Sequence, residues 1–63
     1  MHHLIKLPEV LERTSLSRSA LYRLLSEGRF PTPAKVTGAR INAWSADEIN
    51  AWIEAQLTAR EPA

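Results

Sequence analysis

A very short turn between two amphipathic helices is the feature that most constrains how this chain can fold. Pro8 suits the first turn of a helix, and the apolar residues after it recur at helical spacing. Ser17 is a favourable N-cap for a second helix, and Gly28 supplies a left-handed stop after about residue 27. Since the turn has room for little else, Leu16 is expected to fill the corner between the helices. The pattern predicts a helix-turn-helix over about residues 8–27.

The second helix divides its residues between two faces when it is wound at about 100° per residue. One arc holds the apolar side chains and is expected to be buried: Ala20, Leu21, Leu24 and Leu25. The opposite arc carries no aliphatic side chain and consists of Arg18, Ser19, Tyr22, Arg23 and Ser26. A polar, basic face with one aromatic residue indicates a binding surface, although a plain solvated face would show the same pattern.

A β-hairpin is predicted after the second helix. Pro31 and Pro33 bias the residues before them toward extended geometry, so the helical pattern stops there. Two short strands then flank a loop that contains Gly38, which predicts a wing over about residues 34–44. We expect the following side chains to face inward: Val36, Ile41 and Trp44. The short alternation leaves open which of Ile41, Asn42 and Ala43 points toward the core.

A third helix is predicted over about residues 46–60. Ser45 and Glu48 have the spacing of a capping box, and an apolar stripe follows them. The stripe consists of Ile49, Trp52, Ile53 and Leu57. The order helix, turn, helix, hairpin, helix predicts a mainly α fold with a small β-hairpin, a winged helix-turn-helix. We expect residues 1–63 to form a single DNA-binding domain.

Positive charge is concentrated in the middle of the chain. Residues 13–40 carry six cations against one carboxylate, whereas residues 41–63 carry one cation against four carboxylates. The net charge of +1 therefore hides a basic region that suits a polyanionic partner.

Catalysis is the unfavoured class, because a chain of 63 residues has little interior in which to bury a substrate cleft. The candidate carboxylates Glu9, Asp47 and Glu48 are explained by helix N-termini, and both glycines have structural roles. We therefore expect no enzyme, cofactor or small-molecule substrate. The chain has no cysteine, and His2-His3 is better explained as a disordered start than as a metal site. No apolar run is long enough to span a membrane, so we expect a cytoplasmic, nucleoid-associated protein.

Double-stranded DNA is the partner that this pattern predicts. An α-helix fits the major groove, and side chains in its first two turns reach base edges while flanking cations hold phosphates. The predicted contact residues are Ser17, Arg18, Ser19, Tyr22, Arg23, Arg29, Lys35, Thr37 and Arg40.

Each of these residues also has a structural explanation. Arg18 and Arg23 would serve solubility, and Tyr22 would pack against the first helix or the hairpin. Ser17 would act only as a cap, and Arg29 would satisfy carbonyls at the helix end. Lys35, Thr37 and Arg40 would belong to an ordinary soluble turn. The two tryptophans raise the hypothesis of stacking on single-stranded nucleic acid, but their positions favour a place in the core.

A series of motifs along nearly the whole chain resembles the AlpA-type phage regulators and, more broadly, the small excisionases with a MerR-like winged helix-turn-helix. The series comprises Leu7-Pro8-Glu9-Val10, Leu16-Ser17-Arg18-Ser19-Ala20-Leu21-Tyr22-Arg23, Gly28-Arg29-Phe30-Pro31 with Pro33 and Lys35, Arg40 with Trp44, and Asp47-Glu48-Ile49-Asn50-Ala51-Trp52-Ile53. The resemblance implies that the Ser-Arg-Ser segment opens a recognition helix and that the hairpin is the wing. It implies DNA contacts at Arg18, Ser19, Tyr22, Arg23, Lys35 and Arg40.

Two residues depart from the family pattern. Ser15 stands where such proteins often have glycine, so either the turn is not left-handed or the serine is strained. Asn42 stands where an apolar strand residue is usual. If Asn42 points inward, it needs a hydrogen-bond partner, and if it points outward, the predicted strand register shifts by one residue.

The sequence predicts a sequence-specific DNA-binding transcriptional regulator of a prophage or mobile element. An excisionase, or recombination directionality factor, is the alternative within the same class. A protein-interaction module, such as an antitoxin or adaptor fragment without DNA binding, is the alternative from another class. Because one small unit makes few base contacts, we expect cooperative self-association of two or more copies on adjacent DNA sites.

Overall fold

Three helices and a three-stranded sheet make up the fold in the computed structural model, which describes residues 3–38 and 41–60. The elements in chain order are β1 (Leu4–Ile5), α1 (Leu7–Thr14), α2 (Arg18–Ser26), β2 (Ala34–Val36), β3 (Ile41–Ser45) and α3 (Ala46–Ala59). The predicted mainly α fold with a small hairpin is confirmed. The helix bounds lie within a residue or two of the predicted ones.

Local hydrogen bonds account for both ends of α2. The Ser17 hydroxyl accepts a hydrogen bond of 3.1 Å from the Ala20 amide, which satisfies one free amide of the first turn. At the other end Gly28 has a φ of +71°, and its amide donates to the Leu25 carbonyl at 3.1 Å. The Arg29 amide donates to the Leu24 carbonyl at 2.9 Å, which completes a Schellman motif.

The turn between α1 and α2 is left-handed although its residue is a serine. Ser15 has φ 60° and ψ 21°, and its amide donates to the Leu11 carbonyl at 2.9 Å. This conformation costs a residue with a side chain roughly 1–2 kcal/mol relative to the right-handed region. Leu16 is half-buried and packs against the core, as predicted. The packing of the neighbouring Leu16 thus holds the strained serine in the turn that leads directly into α2.

The sheet contains a strand that the sequence did not predict. Its order is β1-β3-β2, and both pairings are antiparallel. Ile5 pairs with Trp44, and the His3 carbonyl accepts a hydrogen bond of 2.7 Å from the Ala46 amide. The expectation of a disordered start is therefore wrong for His3, while His2 lies outside the described residues. A strand of two residues is too short to show an alternating pattern.

The inward residues of β3 differ from the prediction. Ala43 and Trp44 are buried, whereas Asn42 is exposed and Ile41 is 38% exposed. The prediction that Ile41 faces the core together with Trp44 is wrong, because side chains alternate along a strand and residues three apart point to opposite faces. The buried residues of β3 lie toward its Ser45 end, and its wing end is exposed.

The core draws on every element except β2. Its buried members are Ile5, Val10, Leu21, Phe30, Trp44, Ala46 and Ile49. Trp52 packs against this cluster, and its ring meets the Phe30 ring edge-on with centroids 5.0 Å apart. Leu57, predicted to lie on the apolar stripe of α3, is exposed.

Both tryptophans hold the segment that leads from α2 to the wing. The Trp44 indole donates a hydrogen bond of 2.9 Å to the Pro31 carbonyl, and the Trp52 indole donates one of 3.1 Å to the Arg29 carbonyl. Trp44 is buried in the core as predicted, and Trp52 is half-buried against it. The indoles satisfy two backbone carbonyls of a segment that has no regular structure of its own.

Candidate nucleic-acid interface

The two faces of α2 are separated in the structure as predicted. Leu21 is fully buried, and the other three apolar residues of that arc are half-buried. The residues of the polar arc are all exposed: Arg18, Ser19, Tyr22, Arg23 and Ser26. The anchoring of the apolar face to the core thus leaves the whole basic face of α2 open to a partner.

Ion pairing separates the cations of the basic region into two groups. Arg13 donates hydrogen bonds to the Glu9 carboxylate at 2.6 and 3.0 Å and to the Asn50 side chain at 3.4 Å. Arg29 lies 3.6 Å from the Glu27 carboxylate, although its side chain is 72% exposed. The charges of Arg13 and Arg29 are therefore partly neutralised by neighbouring carboxylates.

The second group consists of Arg18, Arg23 and Lys35. Within residues 3–38 and 41–60, no carboxylate forms an ion pair with any of these three side chains. All three are exposed. Among the described cations of the basic region, residues 13–40, those without a carboxylate partner therefore lie on α2 and the wing.

Ser17 has a structural role that needs no ligand, because its hydroxyl oxygen caps α2. On the wing, Lys35 and Thr37 are exposed, and Gly38 takes a φ of +82° in the loop after β2. Arg40, the remaining predicted contact, lies outside the described residues.

A groove separates α2 from the wing, and it was not predicted. This helix–wing groove has a volume of about 230 Å³ and is lined by Leu7, Tyr22, Leu25, Pro33, Ile41, Asn42 and Trp44. Tyr22 lies at the edge of this groove and is 51% exposed. The sequence offered one signal for the groove, the departure of Asn42 from the apolar pattern.

Other kinds of site find little support in the part of the chain that the structure describes. No group of three histidine, cysteine or carboxylate side chains there is arranged to hold a metal ion. Among the described helices, none is both long enough and apolar enough to cross a bilayer.

The helix-turn-helix, the exposed basic face of α2 and the adjoining hairpin define a winged helix-turn-helix protein. The sequence profile described as "Prophage CP4-57 regulatory protein (AlpA)" matches residues 3–57. The chain belongs to this AlpA family of prophage regulatory proteins. The description of this family is that of a regulatory protein.

One relative comes from a bacteriophage. The chain is 33% identical over 57 residues to the uncharacterized protein ORF88 of Enterobacteria phage P4. That alignment covers 90% of this chain but 64% of the length of the relative. No solved structure matches the chain.

Proposed function

We propose that this protein is a transcriptional regulator of a prophage or mobile element that binds a specific site on double-stranded DNA. In this proposal α2 lies in the major groove and the wing contacts the adjoining backbone. The observation that carries it is the exposed, basic face of α2, in which Arg18 and Arg23 have no carboxylate partner among the described residues. Membership of a family of prophage regulators supports it.

The proposed roles follow from side-chain chemistry. Arg18 and Arg23 would bond guanine edges or phosphates, and Ser19 would bond a base or a phosphate from the first turn. Lys35 and Thr37 would contact the backbone from the wing, together with Arg40. Arg29 is a weaker candidate for a DNA contact, because the Glu27 carboxylate already partly neutralises its charge. Ser17 would act through the α2 N-terminus, where free amides favour a phosphate.

Fluorescence anisotropy against DNA from upstream of the protein's own gene and of an adjacent integrase gene tests the proposal, with scrambled DNA as the comparison. Binding should weaken steeply between about 50 and 200 mM salt and remain stronger on the natural site. Absence of binding to any of these duplexes at low salt would contradict the proposal and favour a protein-interaction module.

Charge reversal then tests the surface itself. Arg18→Glu and Arg23→Glu should each weaken binding by at least roughly tenfold, since a lost arginine contact costs about 1–3 kcal/mol, and should make the salt dependence shallower. Arg60→Glu is the matched control, because it changes the charge equally at the exposed end of α3. Equal losses in all three variants would show only an effect of net charge.

A further inference from the structure

We propose that the helix–wing groove holds one sugar–phosphate strand of the DNA, contacted by Tyr22 from one wall and by Asn42 from the other. The proposal rests on the proposed DNA binding and adds to it a second contact surface. It also gives Tyr22 a position on the DNA backbone and leaves base reading to the other residues of the α2 face.

The lining of the groove is mixed in a way that suits this occupant. Tyr22 and Leu25 lie on the α2 side, and Pro33, Ile41 and Asn42 lie on the wing side. The apolar surfaces suit the carbon edges of deoxyribose rings. The phenol hydroxyl and the carboxamide are donors that suit phosphate oxygens.

The two polar groups are available for such a bond. Within the described residues, neither the Tyr22 hydroxyl nor the Asn42 carboxamide has a hydrogen-bond partner. Both side chains belong to exposed residues. Asn42 lies on the same side of β3 as Trp44, and both residues line the groove together with Tyr22.

Positive charge lies beside each wall. Lys35 pairs directly with Asn42 across β2 and β3, so the two side chains point to the same side with Cβ atoms about 4.5–5.5 Å apart. Arg18 lies one helical turn before Tyr22 on the same face of α2. None of the described residues that line the groove is acidic. Cations at both walls favour a polyanionic strand over an apolar peptide as the occupant.

The position of the groove agrees with the proposed docking. A helix in the major groove and a hairpin placed beside it have one DNA backbone strand between them, because that strand forms the border of the groove. The helix–wing groove is the concave surface between α2 and the hairpin. A backbone contact there would hold the register of α2 on the duplex without reading sequence itself.

Asn42→Asp tests the groove directly, because it keeps the shape of the side chain and places a carboxylate where a phosphate is expected. A hydrogen bond to a charged group is stronger than one between neutral groups, so we expect a loss of affinity of roughly tenfold or more. The loss should be equal on the natural site and on scrambled DNA, and Tyr22→Phe should show a smaller one. Gln56→Glu is the matched control, since it makes the same chemical change on an exposed residue near the end of α3. It should bind like the unchanged protein.

Neutral DNA linkages locate the contact. A set of duplexes, each carrying one methylphosphonate, should contain one or two positions at which the unchanged protein loses affinity. At those positions Asn42→Ala should lose nothing further, because the two changes remove the same interaction. Thermal melting of each variant, with an unchanged midpoint, shows that the folded protein is being compared.

The outcomes separate the two proposals. If the unchanged protein binds none of the duplexes, the proposed function fails, and the groove assignment fails with it. If the unchanged protein binds and Asn42→Asp binds equally well, only the groove assignment is overturned. If Asn42→Asp loses affinity on the natural site but not on scrambled DNA, the groove assignment is also overturned, since that result would make Asn42 a base-reading residue.

Discussion

The recognition helix α2 and the wing carry the same kind of surface but are held in different ways. α2 rests on the fully buried Leu21, and hydrogen bonds close both of its ends. The wing strand β2 has no buried residue, and only Val36 is half-buried. Its position depends mainly on backbone pairing with β3. Of the two parts of the proposed interface, α2 is anchored by a side chain in the core, whereas the wing is held mainly by the pairing of its strands.

This difference predicts different local stabilities. A segment with few buried apolar contacts opens at a lower free energy than one anchored in the core. We therefore expect the backbone amides of α2 to exchange with solvent more slowly than those of β2. With this difference in stability, α2 would meet DNA as a preformed helix, and the wing would be free to adjust to the DNA backbone.

The largest expected effect comes from truncating one apolar residue in α2 and one in the wing. Leu21→Ala removes a fully buried side chain and should lower the free energy of unfolding by about 3 kcal/mol. Val36→Ala removes a half-buried side chain and should cost about 1 kcal/mol. Urea denaturation followed by circular dichroism measures both. Equal costs would contradict the division into an anchored helix and an attached wing.

The next effect concerns the cap of α2. Ser17→Ala should lower the free energy of unfolding by about 1 kcal/mol, because the Ala20 amide loses its acceptor. Thr37→Ala, an exposed change of the same size class in the wing, is the control and should have almost no effect on stability. Ser17→Asp should restore the cap. An unstable Ser17→Asp variant would show that something other than capping makes Ser17 necessary.

The smallest expected effects concern two residues with a left-handed backbone conformation, Ser15 in the turn before α2 and Gly38 in the wing. Ser15→Gly should raise the free energy of unfolding by about 0.5 kcal/mol, since relief of the left-handed strain exceeds the added chain entropy of glycine. Thermal denaturation at matched protein concentration measures it.

Gly38→Ser is the opposite change in the wing and should destabilise the protein. A Cβ there meets no atom within 4 Å, so the positive φ of +82° alone would cause the loss. A stabilising Gly38→Ser would show that the loop readily takes another conformation.

The helix-turn-helix could be predicted from sequence because its signals are local. Ser17 and Gly28 act on amides and carbonyls within five residues along the chain. The exposed face of α2 could also be predicted, since helical spacing alone separates it from the buried face. The inward residues of β3, in contrast, could not be predicted from the sequence. Their burial depends on which part of β3 the core packs against, and the alternation of so short a strand does not record that.

By itself, the sequence determined where the helices begin and end and which face of α2 is polar, because hydrogen bonds and side-chain spacing over a few residues decide both. Only the tertiary structure decided that β1 joins β3, that Arg13 reaches Asn50, and that Tyr22 and Asn42 line one groove. These contacts join residues that are far apart in the chain. Their formation depends on how the core packs, and no local pattern records that.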